Sequence, residues 1–539
     1  MKLNKLSRDI CLGGHWNDRF ILGIKYIDYD SDEHIIYLKT DGIYNVYVVE
    51  INEGLVNNQY YNTNYYDIDN DDSLYSMHLS PYLEPGDGRI IKEKRERLAY
   101  SENGIYTAIM SGRIKAPNNK VLEIKSIRHD TTDLSYFCGG FDAYSNPAGF
   151  HELKTFEFEA ENFPIAPTSA YRMFLGCESL EKVVIGCQND SLINVESMFH
   201  GCSKLTNVNL RNFKTANITN MFLMFCDCSS LETLDLSTWN TGNVTRVCFM
   251  FDGCTNLKNL NLNNWNTTNV TEMDCMFKDC QSLTTLNVSH FNTENVKTLS
   301  SMFYNCSSLA SLDITNFNTS KVIDMGGMFY GCSSLREIKG LSNLNVPSMV
   351  TRMNKMFQGC IGLTSLDLSN FNTTIDTAEE MFEGCYNLKE LNISNLKINP
   401  TAPSIYNKTN ANGIFKGCSS LETLDLSKFT MTYVNAMTET FKDCNSLKTL
   451  DLRNLEAFKD NYYYNYNVDD LFYGCDELQE LRLDNCHYNT IKRIVPMLPE
   501  HTKPDDITHY IYCKQANTID TSTGNPLIPP TGWTYIYVD

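Results

Sequence analysis

The residues best equipped for chemistry in this chain are its cysteines, twenty among 539 residues. Thiolates bind zinc, attack electrophiles and pair as disulfides. Twelve of them, Cys177, Cys202, Cys228, Cys254, Cys280, Cys306, Cys332, Cys360, Cys385, Cys418, Cys444 and Cys475, recur at a near-constant interval, not in the C-x-x-C pairs of a zinc motif. A thiol at a fixed repeat position reads as one rung in a column of small buried apolar groups, reduced and free of metal. Cys226, Cys248 and Cys275 stand outside that column and are the candidates for thiol reactivity. The ten histidines are scattered. Two aspartate clusters, Asp28, Asp30 and Asp32, then Asp67, Asp69 and Asp71, suggest calcium. An EF-hand loop requires Gly at its sixth position and Glu at its twelfth. The first cluster offers Glu33 and Lys39 there, the second Asp72 and His78, so both read as solvated acidic turns. There is no P-loop, G-x-S-x-G, H-E-x-x-H or dinucleotide fingerprint. The expectation is a non-enzymatic protein with no catalytic residue, no cofactor and no metal ligand.

What positions the thiols is a repeat. A Met-Phe-x-x-Cys-x-x-Leu module places its phenylalanine at Phe174, Phe199, Phe225, Phe251, Phe277, Phe303, Phe329, Phe357, Phe382, Phe415, Phe441 and Phe472, stepping by 26 residues in the middle of the array. A fixed period in this range marks a solenoid, whose units bury their apolar faces only against neighbours. In the unit 269–294, the apolar residues from Val270 to Cys280 step by three or four, which predicts one or two helical turns. Leu283, Leu286 and Val288 follow the L-x-x-L-x-L strand pattern of leucine-rich repeats, as do Leu231, Leu234 and Leu236. The expected fold is an α/β solenoid of about twelve 26-residue strand-plus-short-helix coils. At about 4.8 Å per strand its core would be roughly 55–60 Å long. Asn240, Asn266, Asn292, Asn318 and Asn372 each follow an aromatic residue and are suited to satisfying turn backbone. The aromatic stripe Phe213, Trp239, Trp265, Phe291, Phe317 and Phe371 reads as a second core layer rather than a sugar-stacking platform.

The string Met-Phe-x-Gly-Cys-x-Ser-Leu-x-x-Leu-Asp-Leu-Ser-x-Phe-Asn-Thr, reproduced almost letter for letter at 356–373, closely resembles BspA-like leucine-rich-repeat surface proteins, including the Mycoplasma-type surface repeat. The resemblance covers about residues 150–490 and implies an adhesion or recognition module. Gly532-Trp533-Thr534, after Pro529-Pro530, resembles the closing segment of such arrays in some bacterial and phage proteins.

Residues 1–125 lack the repeat and read as a β-rich docking domain with an antiparallel sheet, its strands at Phe20–Ile27, His34–Leu38 and Ile43–Val49. Residues 56–80, rich in Asn, Tyr and Asp, read as a long loop. Residues 126–170 are expected to cap the solenoid at its start, 171–489 to form it, and 490–539 to cap its end. The candidate binding surface has two parts: the outward strand column Asp235, Asn261, Asn287, Asp313, Asp367 and Asn392, and the insertion carrying Tyr462, Tyr463, Tyr464 and Tyr466. The structural ladder is Phe225, Phe251, Phe277 and Phe303 with Cys228, Cys254, Cys280 and Cys306. A net charge of −20 argues against nucleic acid and anionic membrane as partners, and no stretch reaches the length of a membrane span. The N-terminus shows no apolar leader. The favoured function is recognition or adhesion from a phage virion, as a tail or capsid appendage reading a protein or glycan on a host surface and held by other virion proteins through residues 1–125. The alternatives are a bacterial cell-surface adhesin and a purely structural virion protein. A homo-oligomer is compatible with either setting.

Overall fold

Two left-handed residues shape each module. In the coil of Phe303 they are Ser301 at φ 55° and Asn305 at φ 56°, and in the next coil Gly327 at 60° and Gly331 at 67°. A left-handed residue cannot continue a right-handed helix, and outside Gly, Asn and Asp it costs about 1–2 kcal/mol. The expected helical turns are therefore absent: Met-Phe-x-x-Cys is a run of tight turns. The amides show what offsets the strain. Ser301, Phe303 and Asn305 donate to the carbonyls of Gly326, Met328 and Tyr330 in the following coil, at 2.8, 3.0 and 2.6 Å. Between them, Met302, Tyr304 and Cys306 donate three residues back in their own coil, to Leu299, Ser301 and Phe303. An α-helix would keep every amide in its own segment. Three-residue corners leave the same apolar spacing as a helix, so the sequence pattern cannot distinguish them.

This computed structural model describes residues 153–159, 168–186, 192–210, 213–344, 346–347, 350, 352–398, 409–431, 434–453, 455, 458, 467–501, 508–520 and 522–538, together with the backbone of strands between Phe20 and Ile127. The chain forms two compact units, Met1–Trp265 and Asn266–Asp539. It is a β-solenoid with little helix, four of its module coils lying in the first unit and eight in the second.

The leucine segments make short parallel strands in repeat register. In the first unit Leu234 pairs with Leu260. In the second, Leu312 pairs with Ile338, Leu366 with Leu391, and Leu424, Leu450, Leu481 and Ile511 succeed one another. The stretch around Leu286 is irregular, yet Leu283, Leu286 and Val288 are buried. Inside the coils the module phenylalanines stack nearly parallel. Phe174, Phe199, Phe225 and Phe251 have centroids 5.2–5.8 Å apart in the first unit. Phe277 to Phe472 continue at 5.5–5.8 Å in the second. Each such ring contributes about 1.5–3 kcal/mol by burial. The stripe from Phe213 to Phe371 is also buried, as a core layer should be.

Buried threonines tie one coil to the next. The Thr293 hydroxyl donates to the Asn318 carbonyl at 2.8 Å and accepts from the Asn318 amide at 2.7 Å. Thr267 does the same with Asn292, and Thr215 with Asn240. The asparagine side chains meanwhile close their own turns, Asn318 accepting from the Ser320 amide at 3.0 Å and Asn292 from that of Glu294 at 2.9 Å.

N-terminal to the coils, strands His34–Thr40 and Asn45–Ile51 pair antiparallel, but Phe20–Tyr26 pairs with Ile105–Met110 and Val121–Ile127 instead. The segment read as a long loop holds the antiparallel strands Thr63–Ile68 and Leu74–His78. Its tyrosines and terminal isoleucine suit a pleated surface better than its Asn and Asp content suggested. Asp67 lies in that first strand, and the other five calcium-candidate aspartates lie outside the described residues. Val121–Ile127 pairs in parallel with Thr155–Glu159, so the 125/126 boundary falls within a strand that joins the first coils. At the other end, His509–Cys513 and Trp533–Tyr537 extend the parallel sheet. Gly532, at φ 89°, fits there because a Cβ would meet His501 at 2.7 Å.

Thr293→Val keeps shape and volume but removes both hydroxyl bonds, leaving the Asn318 amide and carbonyl without that partner. It should destabilise the chain by about 1–3 kcal/mol in denaturant unfolding and speed exchange of the Asn318 amide. A change under about 0.5 kcal/mol would show that the threonine column is incidental.

Candidate binding surfaces and the thiol column

The strand column occupies fixed turn positions. Asp235, Asn261, Asp313, Asp367 and Asn392 end their strands, and Asn287 ends the equivalent irregular stretch. In chain order, with Asn287 third, each accepts the amide two residues on through its side-chain oxygen, at 3.0, 3.1, 3.3, 3.0, 2.9 and 3.3 Å. These Asx turns bend the chain off the sheet. Asp425 and Asp451 do the same for Ser427 and Arg453. The hydroxyl and amide of Ser237 hold the Asp235 carboxyl below its usual range. Thr315 acts likewise on Asp313, and Ser427 on Asp425. In each unit the result is a partly exposed column of carboxylates and amides, in which the residue type sets charge while the turn sets position. Tyr462, Tyr463, Tyr464 and Tyr466 lie outside the described residues.

A second column escaped the sequence reading: the residue after each module phenylalanine. In the second unit it runs Lys278, Tyr304, Tyr330, Gln358, Glu383, Lys416, Lys442 and Tyr473. Tyr304 and Tyr330 stack at 4.0 Å and 4°. Lys416 bridges Glu383 at 3.1 Å and Glu439 at 2.7 Å, and Lys442 bridges Glu439 at 2.7 Å and Asp470 at 2.9 Å. Hydrogen bonds from Lys416 and Lys442 hold the Glu439 carboxyl below its usual range. In the first unit the column runs Leu175, His200, Cys226 and Asp252. Its members share a position in the repeat but no single residue type, so no one-letter motif marks the column.

The twelve column cysteines are buried, as expected, but they are more than small apolar groups. Cys306 donates its thiol hydrogen to the Phe277 carbonyl of the preceding coil at 3.2 Å, Cys332 to Phe303 at 3.1 Å, and Cys360 to Phe329 at 3.1 Å. The same phenylalanine carbonyl accepts the cysteine amide of its own coil, as Phe303 does from Cys306 at 3.1 Å. A carbonyl has two lone pairs, and the thiol fills the second. Burial pushes the thiols of Cys332 and Cys385 up to about 12. A group whose folded value is raised stabilises the fold fully below its unfolded value, and that stability fades as pH climbs toward the folded one. Of the candidates for reactivity, Cys226 and Cys248 are buried and Cys275 is half-buried.

With this geometry in place, the repeat region can be compared with known proteins. It matches the family described as "Mycoplasma protein of unknown function, DUF285" over residues 168–262, 232–338, 308–403 and 404–485, more than half the chain. The chain belongs to that family. No curated protein sequence matches it. Among solved structures, a leucine-rich repeat protein from Eubacterium ventriosum is 13% identical, with 66% of this chain and 91% of that one covered and a TM-score of 0.31. A leucine-rich-repeat protein of Leptospira interrogans is 15% identical, with 60% and 90% covered and a TM-score of 0.19. The TLR13 chain of a TLR13–ssRNA13 complex is 16% identical, with 67% of this chain covered and a TM-score of 0.21, and this chain spans about half (53%) of its length. Among the described residues no helix is long and apolar enough to cross a membrane.

The raised thiols set a pH window. Unfolding free energy should fall as pH rises from near 9.0 toward about 12, because the unfolded chain loses thiol protons that the fold retains. A Cys332→Ala, Cys385→Ala double variant should lose less stability across that window than the parent chain. Equal slopes in denaturant titrations at stepped pH would show that these thiols do not carry the effect.

Proposed function

We propose that this chain is a non-enzymatic recognition protein that presents its solenoid strand face to a protein or glycan on a host surface. The observation that carries this reading is the Asx-turn column. Its side chains are held at a constant repeat by hydrogen bonds that do not depend on whether Asp or Asn is present. Charge along the face is thus free to vary without disturbing the fold, which suits a surface selected for binding. In this reading the tyrosine-rich segment of the sequence is a second contact region, because Tyr and Asn give contact area and hydrogen bonding at low entropy cost.

We place the protein on a phage virion, as a tail or capsid appendage docked to other virion proteins through its N-terminal strands. The thiol column supports a reducing site of folding: thiols such as those of Cys306, Cys332 and Cys360 must keep their hydrogens to bond the neighbouring coil, and an oxidising export route would compete for them. A virion protein folds in the cytoplasm and leaves by lysis. The second reading is a bacterial cell-surface adhesin, of which the family's description supports only the bacterial setting.

The combined variant Asp235→Asn, Asp313→Asn, Asp367→Asn, Asp425→Asn tests the surface. Asparagine already closes the same turn at Asn261, Asn287 and Asn392, so stability should change by less than about 1 kcal/mol in total. Binding to host cells or to a glycan array should fall tenfold or more. Unchanged binding would remove the strand face from the account. Removing residues 1–119, which spares the strand Val121–Ile127, should leave the coils folded and abolish incorporation into particles. Normal incorporation would move the docking site into the repeats.

A further inference from the structure

Stacking coils brings together residues that lie far apart in sequence. His200 and Cys226 each follow a module phenylalanine, one coil apart, and Asp227 is the next residue. The His200 Nε2 lies 3.4 Å from Asp227 Oδ2, and the Cys226 Sγ lies 3.6 Å from the same oxygen. All three ligand atoms fall within 4.8 Å of one another. A tetrahedral zinc ion with bonds of about 2.0–2.1 Å to nitrogen, 2.3 Å to sulfur and 2.0–2.2 Å to oxygen would set its ligand atoms about 3.3–3.6 Å apart. Two edges of the triangle already match.

We propose that His200, Cys226 and Asp227 form a binding site for a zinc-class divalent metal ion, with its fourth coordination position open toward solvent. The donor set of imidazole, thiolate and carboxylate suits zinc. Access is one-sided: the Cys226 side is buried, while the His200 and Asp227 side chains are 31% and 63% exposed. Asp252, the next member of the same column, bears on the Cys226 thiol electrostatically and adds negative charge beside the site. On binding, the thiol gives its proton to solvent and the thiolate bonds the metal.

The left-handed backbone at Asp227, φ 58°, accounts for an Asp, Asn or Gly there, as at Gly201 and Gly253. It does not account for His200 or Cys226, where the equivalent residues of other coils include Leu175, Lys278 and Tyr304. An ion here would clamp two coils and leave an open position for a ligand atom of a bound partner. This inference stands whichever ligand the strand face recognises.

The test uses the full-length chain, stripped with a chelator, reloaded with zinc or cobalt(II), and freed of excess by gel filtration. About one ion should remain per chain. The cobalt form should show the visible bands of a tetrahedral site and a thiolate-to-metal charge-transfer band. Cys226→Ser and Asp227→Gly should each lower affinity tenfold or more and remove the charge-transfer band or weaken the visible bands, respectively. Asp227→Gly is the fold-neutral arm, because Gly holds this position at 201 and 253. Cys275→Ser, which alters a thiol outside the cluster, should bind as the parent does. No retained ion in the parent, or parent-like binding in both site variants, would overturn the proposal.

Discussion

The structure depends on one constraint: a coil this narrow cannot satisfy its own backbone. Alternate amides of the modules donate to the following coil, and the left-handed residues exist to aim them there. Other features follow from that choice. The phenylalanine carbonyl is left with a free lone pair, which the cysteine thiol of the next coil fills. The aromatic-Asn-Thr corner repeats the same logic, with a buried threonine hydroxyl acting as donor and acceptor toward the next coil. Hydrophobic burial makes the stack favourable, and this hydrogen bonding makes it register-specific.

Much of the architecture was legible in the sequence. The 26-residue lock between Phe and Leu positions encodes coil number, strand register and the two buried aromatic layers, because identical positions must stack on identical neighbours. The asparagines after the aromatic stripe were read as turn residues, and they close their own turns. What stayed hidden was local conformation. Apolar spacing of three or four residues is common to a helix and to successive corners, and only the backbone angles at positions such as Ser301 and Asn305 separate them. At Ser301, Leu223 or Lys355 no residue type signals a left-handed turn.

The candidate surfaces divide the same way. The outward strand column was visible from alternation, but its Asx-turn role was not, since that requires knowing where the chain bends. The proximity of His200 and Cys226 was invisible along the chain because a whole repeat separates them, although it is implicit once the repeats are aligned. In the N-terminal region Phe20–Tyr26 pairs with Ile105–Met110, far along the chain, and no local pattern specifies such a partner. Repetition makes long-range contacts readable, and its absence removes that advantage.

The most direct test of the thiol and carbonyl pairing is the S–H stretching band in the infrared spectrum of the reduced, native chain. A thiol that donates to a carbonyl absorbs at lower frequency than one exposed to water or apolar packing alone. The account predicts that most of the band shifts down in the folded protein and returns on unfolding. A native band that coincides with that of the unfolded chain would contradict it, leaving the cysteines as packing groups without a part in joining the coils.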